Sequence, residues 1–430
     1  MKVITSGAIS AFGGLNFVHH HLDRLGIAQT LQASLPDLAA QSQYSWKDVF
    51  YSLLSVFYCG GDCIEDVKTV LQDHFKYSRL FHLCSPDTIL RRLKALSCAD
   101  DTCMTPRGSV QHQYNANQLM TDLNIRLLQK LNTFDTEELI LDYDNTVVFA
   151  EKQDCKMTYK REYGYQPGVC FINEDTVLYV ENRNGNSDAK SFQNETLTRM
   201  FDRLEANGVR RSYTFRADAA SYQFEVIQLL EKKNCTFFIG ARNSYVEKYF
   251  SQIQKWEKTK DKLGEEIWIG EIHIRPFEKR YKSGQLPPLY RLLVTRKKRS
   301  DQQVNLFTQD CYEYRAVITN DQSLNVKEGL SFYQHRGAVE RQFDVLKNDF
   351  GWKQIPFSHL AENTVFMYFT AMFRNLYNVI IHLLSRKYTR VKTSYRMKRF
   401  IFSFISIPAK WVRRSRQWHL RIYGKIELRV

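Results

Sequence analysis

The sequence has no long uninterrupted apolar run. Its most apolar window, Val365 to Leu384, is interrupted by Arg374, Asn375 and Asn378. Because polar side chains are costly inside a bilayer, this window predicts a buried helix rather than a membrane span. The first residues include a single basic residue, Lys2, with no apolar segment after it, so we expect no signal peptide.

A disulfide framework is also lacking. The nine cysteines are an odd number at scattered positions, which is typical of proteins from a reducing cytoplasm. Cys59 and Cys63 stand close enough in the sequence to suggest a zinc site. No second pair with suitable spacing accompanies them, so buried structural thiols are the favoured interpretation.

Acidic residues are scarce at the end of the chain. From Arg386 onwards there are fourteen lysines and arginines and only one acidic residue, Glu427, so nearly all of the net charge of +15 lies in this tail. Such a charge favours a polyanionic partner, either nucleic acid or an acidic membrane surface. Aromatic residues such as Trp411 and Trp418 are interleaved with the cations, which predicts a folded or docking segment rather than a solvated tail.

The most informative stretch is YQHRGAVERQFDVLK, residues 333–347. On one continuous helix, Tyr333, Arg336, Glu340 and Lys347 would fall within an arc of about 60°. A carboxylate among cations suits a site where Glu340 holds a metal ion and the cations hold phosphates; a solvated amphipathic helix is the alternative. An apolar stripe beside this face predicts contact with a core: Val339, Phe343, Leu346 and Phe350.

This spacing of Tyr, Arg, Glu and Lys resembles the signature of bacterial insertion-sequence DDE transposases, specifically their cut-and-paste group. The resemblance implies an α/β fold: a ribonuclease H-like mixed-sheet catalytic core with a β-rich insertion and a helical N-terminal DNA-binding domain. It also implies two catalytic aspartates upstream of Glu340, each on a strand.

The first aspartate lies in LILDYDNTVVF, where Asp142 and Asp144 point to the same side of a predicted strand. A structural salt bridge explains such a pair equally simply, because a buried carboxylate needs a cation. In the family, the first catalytic aspartate stands two residues before Thr or Ser. The resemblance therefore implies Asp144, followed by Thr146, with Asp142 as the second choice.

The second aspartate is Asp218, at the end of the predicted strand RSYTFRAD. Sites in α/β proteins are commonly built at the carboxyl ends of strands, and the resemblance implies that Asp218 is the second ligand. Two strand candidates, Gly168 to Ile172 and Thr176 to Val180, precede it, and the strand Thr236 to Ile239 follows. With two intervening helices the order is β β β α β α β, which is the order of a ribonuclease H-like fold.

Residues 1–130 have helical patterns. A helix is predicted over Gly61 to His74, and a second begins after Ser85 as N-cap. The pair resembles a helix-turn-helix, although a plain helical bundle fits as well. We expect the second helix to read the terminal repeats through Arg91, Arg92 and Lys94, and we interpret residues 100–117 as a linker.

About a hundred residues separate the fifth core strand from Glu340. Strands are predicted over Glu266 to Arg275, Leu289 to Thr295 and Tyr312 to Thr319, with a bulge at Gly270. They resemble the β-rich insertion of the family. Trp256 and Trp268 are candidates for stacking on an unpaired base. A basic run is predicted to meet the DNA backbone, with a solvated turn as the alternative: Arg296, Lys297, Lys298 and Arg299.

The predicted domains are 1–130 (DNA binding), 131–242 (first part of the core), 243–330 (insertion), 331–385 (core helices carrying Glu340) and 386–430 (basic arm). The resemblance implies that Asp144, Asp218 and Glu340 hold two Mg²⁺ ions about 4 Å apart, for which Mn²⁺ can substitute. Water would first nick the element end, and the freed 3′-hydroxyl would then attack, through a hairpin intermediate. Tyr333, Arg336 and Lys347 would grip phosphates near the cleaved end.

The expected partners are double-stranded DNA at element ends and targets, and a second copy of the chain, in the bacterial cytoplasm at the nucleoid. Two alternatives stay open. A catalytically inactive DNA-binding regulator would use the basic arm without needing three acidic positions. A ribonuclease H-like nuclease would need the carboxylates without the Tyr-Arg-Lys set.

Overall fold

The computed structural model describes residues 7–104, 110–299 and 310–424. Within these ranges the chain forms a mixed α/β fold. Its α-helices are α1 (Leu15–Arg24), α2 (Ile27–Ser34), α3 (Trp46–Tyr58), α4 (Gln72–Phe75), α5 (Pro86–Lys94), α6 (Gln118–Lys130), α7 (Gln193–Ala206), α8 (Phe224–Lys232), α9 (Asn243–Val246), α10 (Val326–Gln334), α11 (Ala338–Asp349), α12 (Leu360–Lys387) and α13 (Met397–Phe400).

The strands are β1 (Asp101–Met104), β2 (Gln111–Asn115), β3 (Glu138–Asn145), β4 (Val148–Phe149), β5 (Lys156–Met157), β6 (Tyr163–Tyr165), β7 (Gly168–Ile172), β8 (Thr176–Arg183), β9 (Ser212–Ala217), β10 (Thr236–Ala241), β11 (Glu257–Lys260), β12 (Glu266–Ile274), β13 (Tyr290–Lys298), β14 (Tyr312–Thr319), β15 (Ala409–Arg414) and β16 (Gln417–Ile422). Short 3₁₀ turns cover Ala219–Ser221, Glu247–Gln252, Glu278–Arg280 and His335–Gly337, and π-helical turns cover Val67–Leu71 and Ile401–Ile405.

One large mixed sheet organises the molecule. It has eleven strands in the order β1-β2-β8-β7-β3-β9-β10-β14-β13-β12-β11. At its centre β3, β9 and β10 run parallel, whereas β7 runs antiparallel to both β3 and β8. The predicted order β β β α β α β is confirmed by β3, β7, β8, α7, β9, α8 and β10.

The strands predicted between β10 and Glu340 are confirmed as β12, β13 and β14, and β11 was missed. They continue the central sheet, because β14 pairs antiparallel with β10. The predicted bulge at Gly270 is wrong: β12 and β13 keep an unbroken register from Trp268 to Ile274. Glycine serves close packing there, since a Cβ would lie 2.9 Å from the carbonyl oxygen of Lys255.

Interpreting residues 100–117 as a linker is wrong for its described part. Residues 101–104 and 111–115 form the hairpin of β1 and β2, and β2 pairs with β8 through Tyr114 and Asn115, so that β1 becomes the edge of the sheet. Pro106 and Gly108, which suggested a linker, fall outside the described residues. The polar side chains of this segment suit a sheet edge, where one face meets solvent.

The predicted buried helix is confirmed as α12, and its polar residues have partners inside the protein. Asn375 donates to the carbonyl of Val177 at 2.8 Å and accepts from the amide of the same residue at 2.8 Å. Arg374 donates to the Gln342 side chain at 2.9 Å. Helix α12 shares one apolar core with α3, α5, α6 and α11. None of the described helices combines the length and hydropathy needed to cross a bilayer.

The basic C-terminal segment is folded, as the interleaved aromatics predicted. It contains α13 and a two-stranded ribbon of β15 and β16. Four backbone hydrogen bonds join it to the N-terminal segment. Ser10 and Ala409 bond each other, at 2.8 and 2.9 Å, Gly13 donates to Ile407 at 2.7 Å, and Gly14 donates to Ile405 at 3.1 Å. The two ends of the described chain therefore support each other.

We predict that Gly14→Ala destabilises this junction. A Cβ at Gly14 would lie 2.0 Å from the carbonyl oxygen of Phe404, so the backbone has to shift. The free energy of unfolding, measured by urea denaturation, should fall by about 2 to 3 kcal/mol. Gly7→Ala is the matched control, because nothing lies within 4 Å of its Cβ position. Equal stability of the two variants would contradict the prediction.

Candidate active site

Asp142 and Asp144 both lie on β3, but they have different partners. Asp142 is fully buried and receives two hydrogen bonds from Arg216 on β9, at 2.8 and 2.7 Å. Arg216 also donates to the carbonyl of Phe332 on α10 at 2.8 Å. Burial raises the pKa of Asp142, and Arg216 opposes that rise. Asp142 thus takes part in the structural salt bridge and ties α10 to the sheet.

Asp144 is mostly buried at the end of β3 and pairs with Arg336, whose Nη2 lies 2.8 Å from its Oδ2. Burial raises the pKa of Asp144 to about 6, and the carboxylates of Asp218 and Glu340 add to the rise, whereas Arg336 lowers it. Asp218 and Glu340 therefore each lie close enough to Asp144 to repel its carboxylate. Repulsion of this kind is common where carboxylates share one site.

Asp218 directly follows β9 and is partly exposed. Its Oδ1 accepts a hydrogen bond from the amide of Ala220 at 2.9 Å, which caps the 3₁₀ turn Ala219–Ser221. Strands β3 and β9 are parallel neighbours, so their carboxyl ends meet at one edge of the sheet. That topology is what brings Asp218 next to Asp144.

The continuous helix expected over residues 333–347 is wrong. Helix α10 ends at Gln334, a 3₁₀ turn covers His335–Gly337, and α11 begins at Ala338. Gly337 lies at the break, and glycine is about 1 kcal/mol less favourable than alanine inside a helix. The break places Tyr333 on α10, Arg336 on the turn, and Glu340 in the first turn of α11.

The break does not separate Arg336 and Lys347 from the end of β3, because Arg336 pairs with Asp144 and Lys347 reaches Thr146. Glu340 is exposed. The apolar stripe of α11 is buried as predicted, at Val339, Phe343, Leu346 and Phe350. Because this stripe packs on the core, the opposite face of α11 meets solvent.

Tyr333 lies beside the carboxylates. Its hydroxyl oxygen comes within 2.6 Å of the position that a Cβ on Gly240 would occupy. Burial raises the pKa of Tyr333, Arg336 lowers it, and Asp218 and Asp144 raise it further. A glycine on β10 is therefore needed for the phenol to reach this edge of the sheet.

Lys347 reaches the same edge from the far end of α11. Its Nζ lies 2.6 Å from the hydroxyl of Thr146, two residues beyond Asp144. Burial lowers the pKa of Lys347 to about 8, and the charges of Lys160 and Lys353 lower it as well. The ammonium groups of Lys347, Lys160 and Lys353 together favour binding of an anion there.

The predicted metal site is only partly assembled. In the described ranges, no three histidine, cysteine or carboxylate side chains lie together closely enough to hold a metal ion. Carboxylate oxygens are nevertheless the ligands that Mg²⁺ prefers, and Asp218 and Glu340 both lie near enough to Asp144 to raise its pKa. The assignment of Asp144, Asp218 and Glu340 as ligands fits this chemistry and stays a prediction.

The basic run lies at the end of β13, and some of its cations already have partners within the protein. The guanidinium of Arg296 lies 4.1 Å from the ring centre of Trp256 and 4.5 Å from that of Tyr312. Lys297 forms an ion pair with Glu265, and Lys298 is exposed. The face of Trp256 is thus covered by a cation in this structure.

The second tryptophan of the insertion, Trp268, packs edge-on against Tyr312 at 5.5 Å between ring centres. Arg299 follows β13, and its amide donates to the carbonyl of Cys311 at 2.8 Å. Because successive side chains of a strand point to opposite faces, Arg296 and Lys298 lie on one face of β13 and Lys297 on the other.

The helix predicted to follow Ser85 is confirmed as α5, with Ser85 as N-cap, whereas its role in reading DNA stays a prediction. Of its cations, Arg91 is exposed, Arg92 donates to Ser42 at 2.5 Å, and Lys94 pairs with Glu362 of α12 at 2.8 Å. The helix expected over residues 61–74 begins only with the π-helical turn at Val67 and continues as the four-residue α4.

We predict that Asp142 and Asp144 respond oppositely to neutralisation. Asp142→Ala leaves Arg216 buried without its carboxylate and should cost about 3 to 5 kcal/mol. Asp144→Asn should leave the free energy of unfolding unchanged or raise it, because a raised pKa means that the fold disfavours the charged carboxylate. Guanidinium chloride denaturation measures both.

As a control, Asp142→Leu with Arg216→Met removes both buried charges and should recover most of the loss. A loss for Asp144→Asn as large as that for Asp142→Ala would show that the two carboxylates have the same role, against this prediction.

A comparison with curated proteins finds no match. Among solved structures, a piggyBac transposase synaptic complex with hairpin DNA is similar at a TM-score of 0.45 and 11% sequence identity, over 90% of this chain and 79% of that chain. The family model described as transposase DDE domain group 1 matches residues 3–426. The chain therefore belongs to the DDE transposases of group 1.

Proposed function

We propose that this chain is a cut-and-paste transposase that binds the terminal inverted repeats of an insertion sequence and carries out DNA strand cleavage and transfer. The observation that carries the proposal is the position of Asp144, which pairs with Arg336 at the carboxyl end of β3 and lies near Asp218, at the end of the parallel strand β9, and Glu340. Membership of the DDE transposases supports it. Repelling carboxylates at one sheet edge are useful where divalent cations neutralise them.

In this proposal β8, β7, β3, β9 and β10 form a ribonuclease H-like core, which the strand order and the antiparallel β7 support. Asp144, Asp218 and Glu340 would hold two Mg²⁺ ions, or Mn²⁺ in their place, which when bound neutralise the phosphate and activate the attacking hydroxyl. The first attack uses water and releases a 3′-hydroxyl, and the second uses that 3′-hydroxyl.

Arg336 would have one partner before DNA binds and another after it. Without DNA it neutralises Asp144, and with DNA it would exchange that carboxylate for a phosphate near the cleaved end. Its buried Nε has no hydrogen-bond partner in the described part of the chain. A guanidinium with a free Nε can bind a phosphate through two parallel hydrogen bonds, which favours this exchange.

Tyr333 and Lys347 would bind phosphates on either side of Arg336. Lys347 already points at the hydroxyl of Thr146, so a phosphate oxygen there would replace a neutral acceptor by a charged one. Such charge-assisted bonds are shorter and stronger than neutral ones. Each phosphate contact should also add to the salt dependence of DNA binding.

The wider DNA interface is proposed from exposed cations. Arg91 on α5 and Lys298 on β13 are free to meet phosphates, whereas Lys94 and Lys297 would first have to leave Glu362 and Glu265. We further propose that two copies act on paired element ends, on DNA of the bacterial nucleoid.

The first test is cleavage of a labelled element-end duplex with Mg²⁺. Glu340→Gln and Asp144→Asn should bind the duplex and lose nicking by at least about a thousandfold, because each change removes a charged oxygen ligand from the proposed cation site. Asp344→Asn, on the same helix α11, pairs with Arg396 instead and should cut at nearly the intact rate.

The readout is the amount of nicked strand on a denaturing gel, with binding measured separately. An intact protein that binds ends but never cuts, with Mg²⁺ or Mn²⁺, would favour an inactive DNA-binding regulator. Cleavage of unrelated duplexes at the same rate, without strand transfer, would favour a nuclease.

We predict that Lys347 makes end binding sensitive to alkaline pH. Its pKa is lowered to about 8, so above that pH the free protein must take up a proton before this ammonium can bind a phosphate. Affinity for the duplex, measured between pH 7 and pH 9, should fall for the intact protein and stay nearly flat for Lys347→Arg. Parallel pH profiles for the two proteins would contradict the prediction.

A further inference from the structure

The ribbon of β15 and β16 has two chemically different faces. In an antiparallel pair, residues directly opposite each other share a face, and alternate pairs share it too. One face therefore carries the pairs Ala409 with Ile422, Trp411 with Leu420, and Arg413 with Trp418. The other carries Lys410 with Arg421, Val412 with His419, and Arg414 with Gln417.

The first face packs on the N-terminal helices. Ala409 is buried, and a small cleft lined by Trp411 and Leu420 also includes His74 and Tyr77. Next to it, the guanidinium of Arg79 stacks on Trp418 at 3.9 Å from the ring centre. This face is therefore partly covered by the protein itself, from Ala409 to the Trp418 ring.

The second face, which we call the outward face, carries Lys410, Arg414 and Arg421. Arg414 and Arg421 are exposed and Lys410 is half-buried. None of the three forms an ion pair within the described residues, and the ribbon sequence from Ala409 to Gly424 contains no aspartate or glutamate. The outward face is thus a strip of uncompensated positive charge.

This charge arrangement costs stability. Lys410 and Arg421 stand directly opposite each other, and like charges in that position destabilise a strand pair. Arg416 extends the strip into the turn, where Ser415 and Arg416 both have positive φ, of 49° and 64°. A polyanion would relieve the repulsion, whereas solvent and salt only screen it.

We propose that the outward face binds the phosphates of the element-end duplex held by the N-terminal helices of the same chain. The ribbon is anchored to Arg79 and Tyr77, and their neighbours Lys76 and Ser78 line one cleft together with Ser85 at the start of α5. A duplex read by α5 therefore passes close to the ribbon. Because the ligand is an element end, this inference rests on the proposed function.

The contact is with the backbone and not with bases. A two-stranded ribbon can enter the major groove, but here one face is held against the protein body, and the free face presents long cations. Such side chains bind phosphates in a sequence-independent way and fix the position of the duplex. The ribbon would then contribute affinity and register, and α5 would contribute sequence reading.

The test uses the full chain in EDTA, so that binding is measured without cleavage. In the triple variant Lys410→Gln, Arg414→Gln, Arg421→Gln, affinity for the element-end duplex should fall at least about tenfold. The slope of log affinity against log salt should become shallower by about 2 to 3, because three phosphate contacts are lost. Hydroxyl-radical footprinting should show one block of protection lost beside the unchanged α5 region.

Two control proteins accompany the variant. Lys410→Arg, Arg414→Lys, Arg421→Lys keeps every charge and should bind like the intact chain. Replacing three exposed lysines elsewhere by glutamine (Lys232, Lys279 and Lys282) removes the same net charge and should change the slope by less than 1. The melting temperature of the triple glutamine variant should be unchanged or slightly higher than that of the intact chain, because repulsion between Lys410 and Arg421 is relieved.

Three results would overturn the inference. The first is unchanged affinity with an unchanged footprint, and the second is an equal loss of affinity when Lys232, Lys279 and Lys282 are replaced by glutamine. The third is intact end binding with a loss confined to capture of target DNA. The last would assign the outward face to the target instead. Since no step requires cleavage, a chain that never cuts DNA can still support the inference, and an active transposase can still refute it.

Discussion

Burial of the Asp144 carboxylate close to two other carboxylates is the constraint on which the site depends. Asp144 is mostly buried close to Asp218 and Glu340, and both raise its pKa. Unfolding would separate these charges, so the rest of the protein must hold them together against their repulsion. Arg336 offsets part of the cost from the turn between α10 and α11. Bound cations and phosphates would offset the rest, which is why an incompletely neutralised site is consistent with catalysis.

The scaffold meets this constraint with rigid, buried connections. Arg216 joins β9 to Asp142 on β3 and to the carbonyl of Phe332 on α10, so three elements that carry the site share one guanidinium. Helix α12 packs with α11 in one apolar core, and its Asn375 side chain forms a hydrogen bond with Val177 of β8. The hydroxyl of Tyr368, also on α12, bonds the amide of Val180 at 3.1 Å. Displacing one element would therefore leave several buried polar groups unpaired.

The cations near the carboxylates and those of the ribbon are arranged differently. The cations near the carboxylates are few, partly buried and held by specific acceptors, as Lys347 is by Thr146. Those on the outward face of the ribbon form no ion pair within the described residues, and Arg414 and Arg421 are exposed. The first arrangement suits the positioning of a single phosphate, and the second suits attraction and alignment of a long duplex. Because the two ends of the described chain are joined by backbone hydrogen bonds, the ribbon belongs to the same body as the helices beside it.

Many elements of the fold were predictable because they depend on interactions between residues that are close in the sequence. The strands of the core, the Ser85 cap of α5 and the buried helix α12 follow from periodicity, capping chemistry and apolar run length, which act between neighbouring residues. Residues 101–104 and 111–115 were misjudged because a short polar strand is recognisable only once its partner β8 is in place. The supposed bulge at Gly270 failed for a related reason: the contact that requires glycine comes from residues 253–256, and no pattern within the strand shows it.

By itself, the sequence determined which residue types stand at which spacing, and hence Asp144, Asp218 and Glu340 as candidates, the strand order and the basic tail. Only the tertiary structure decided that Asp142 pairs with Arg216 while Asp144 meets Arg336, because the two positions look alike on an isolated strand. Tertiary contacts also decided that the tail folds into a ribbon with one face partly covered. Partner choice and face exposure depend on residues distant in the chain, and local patterns carry no information about them.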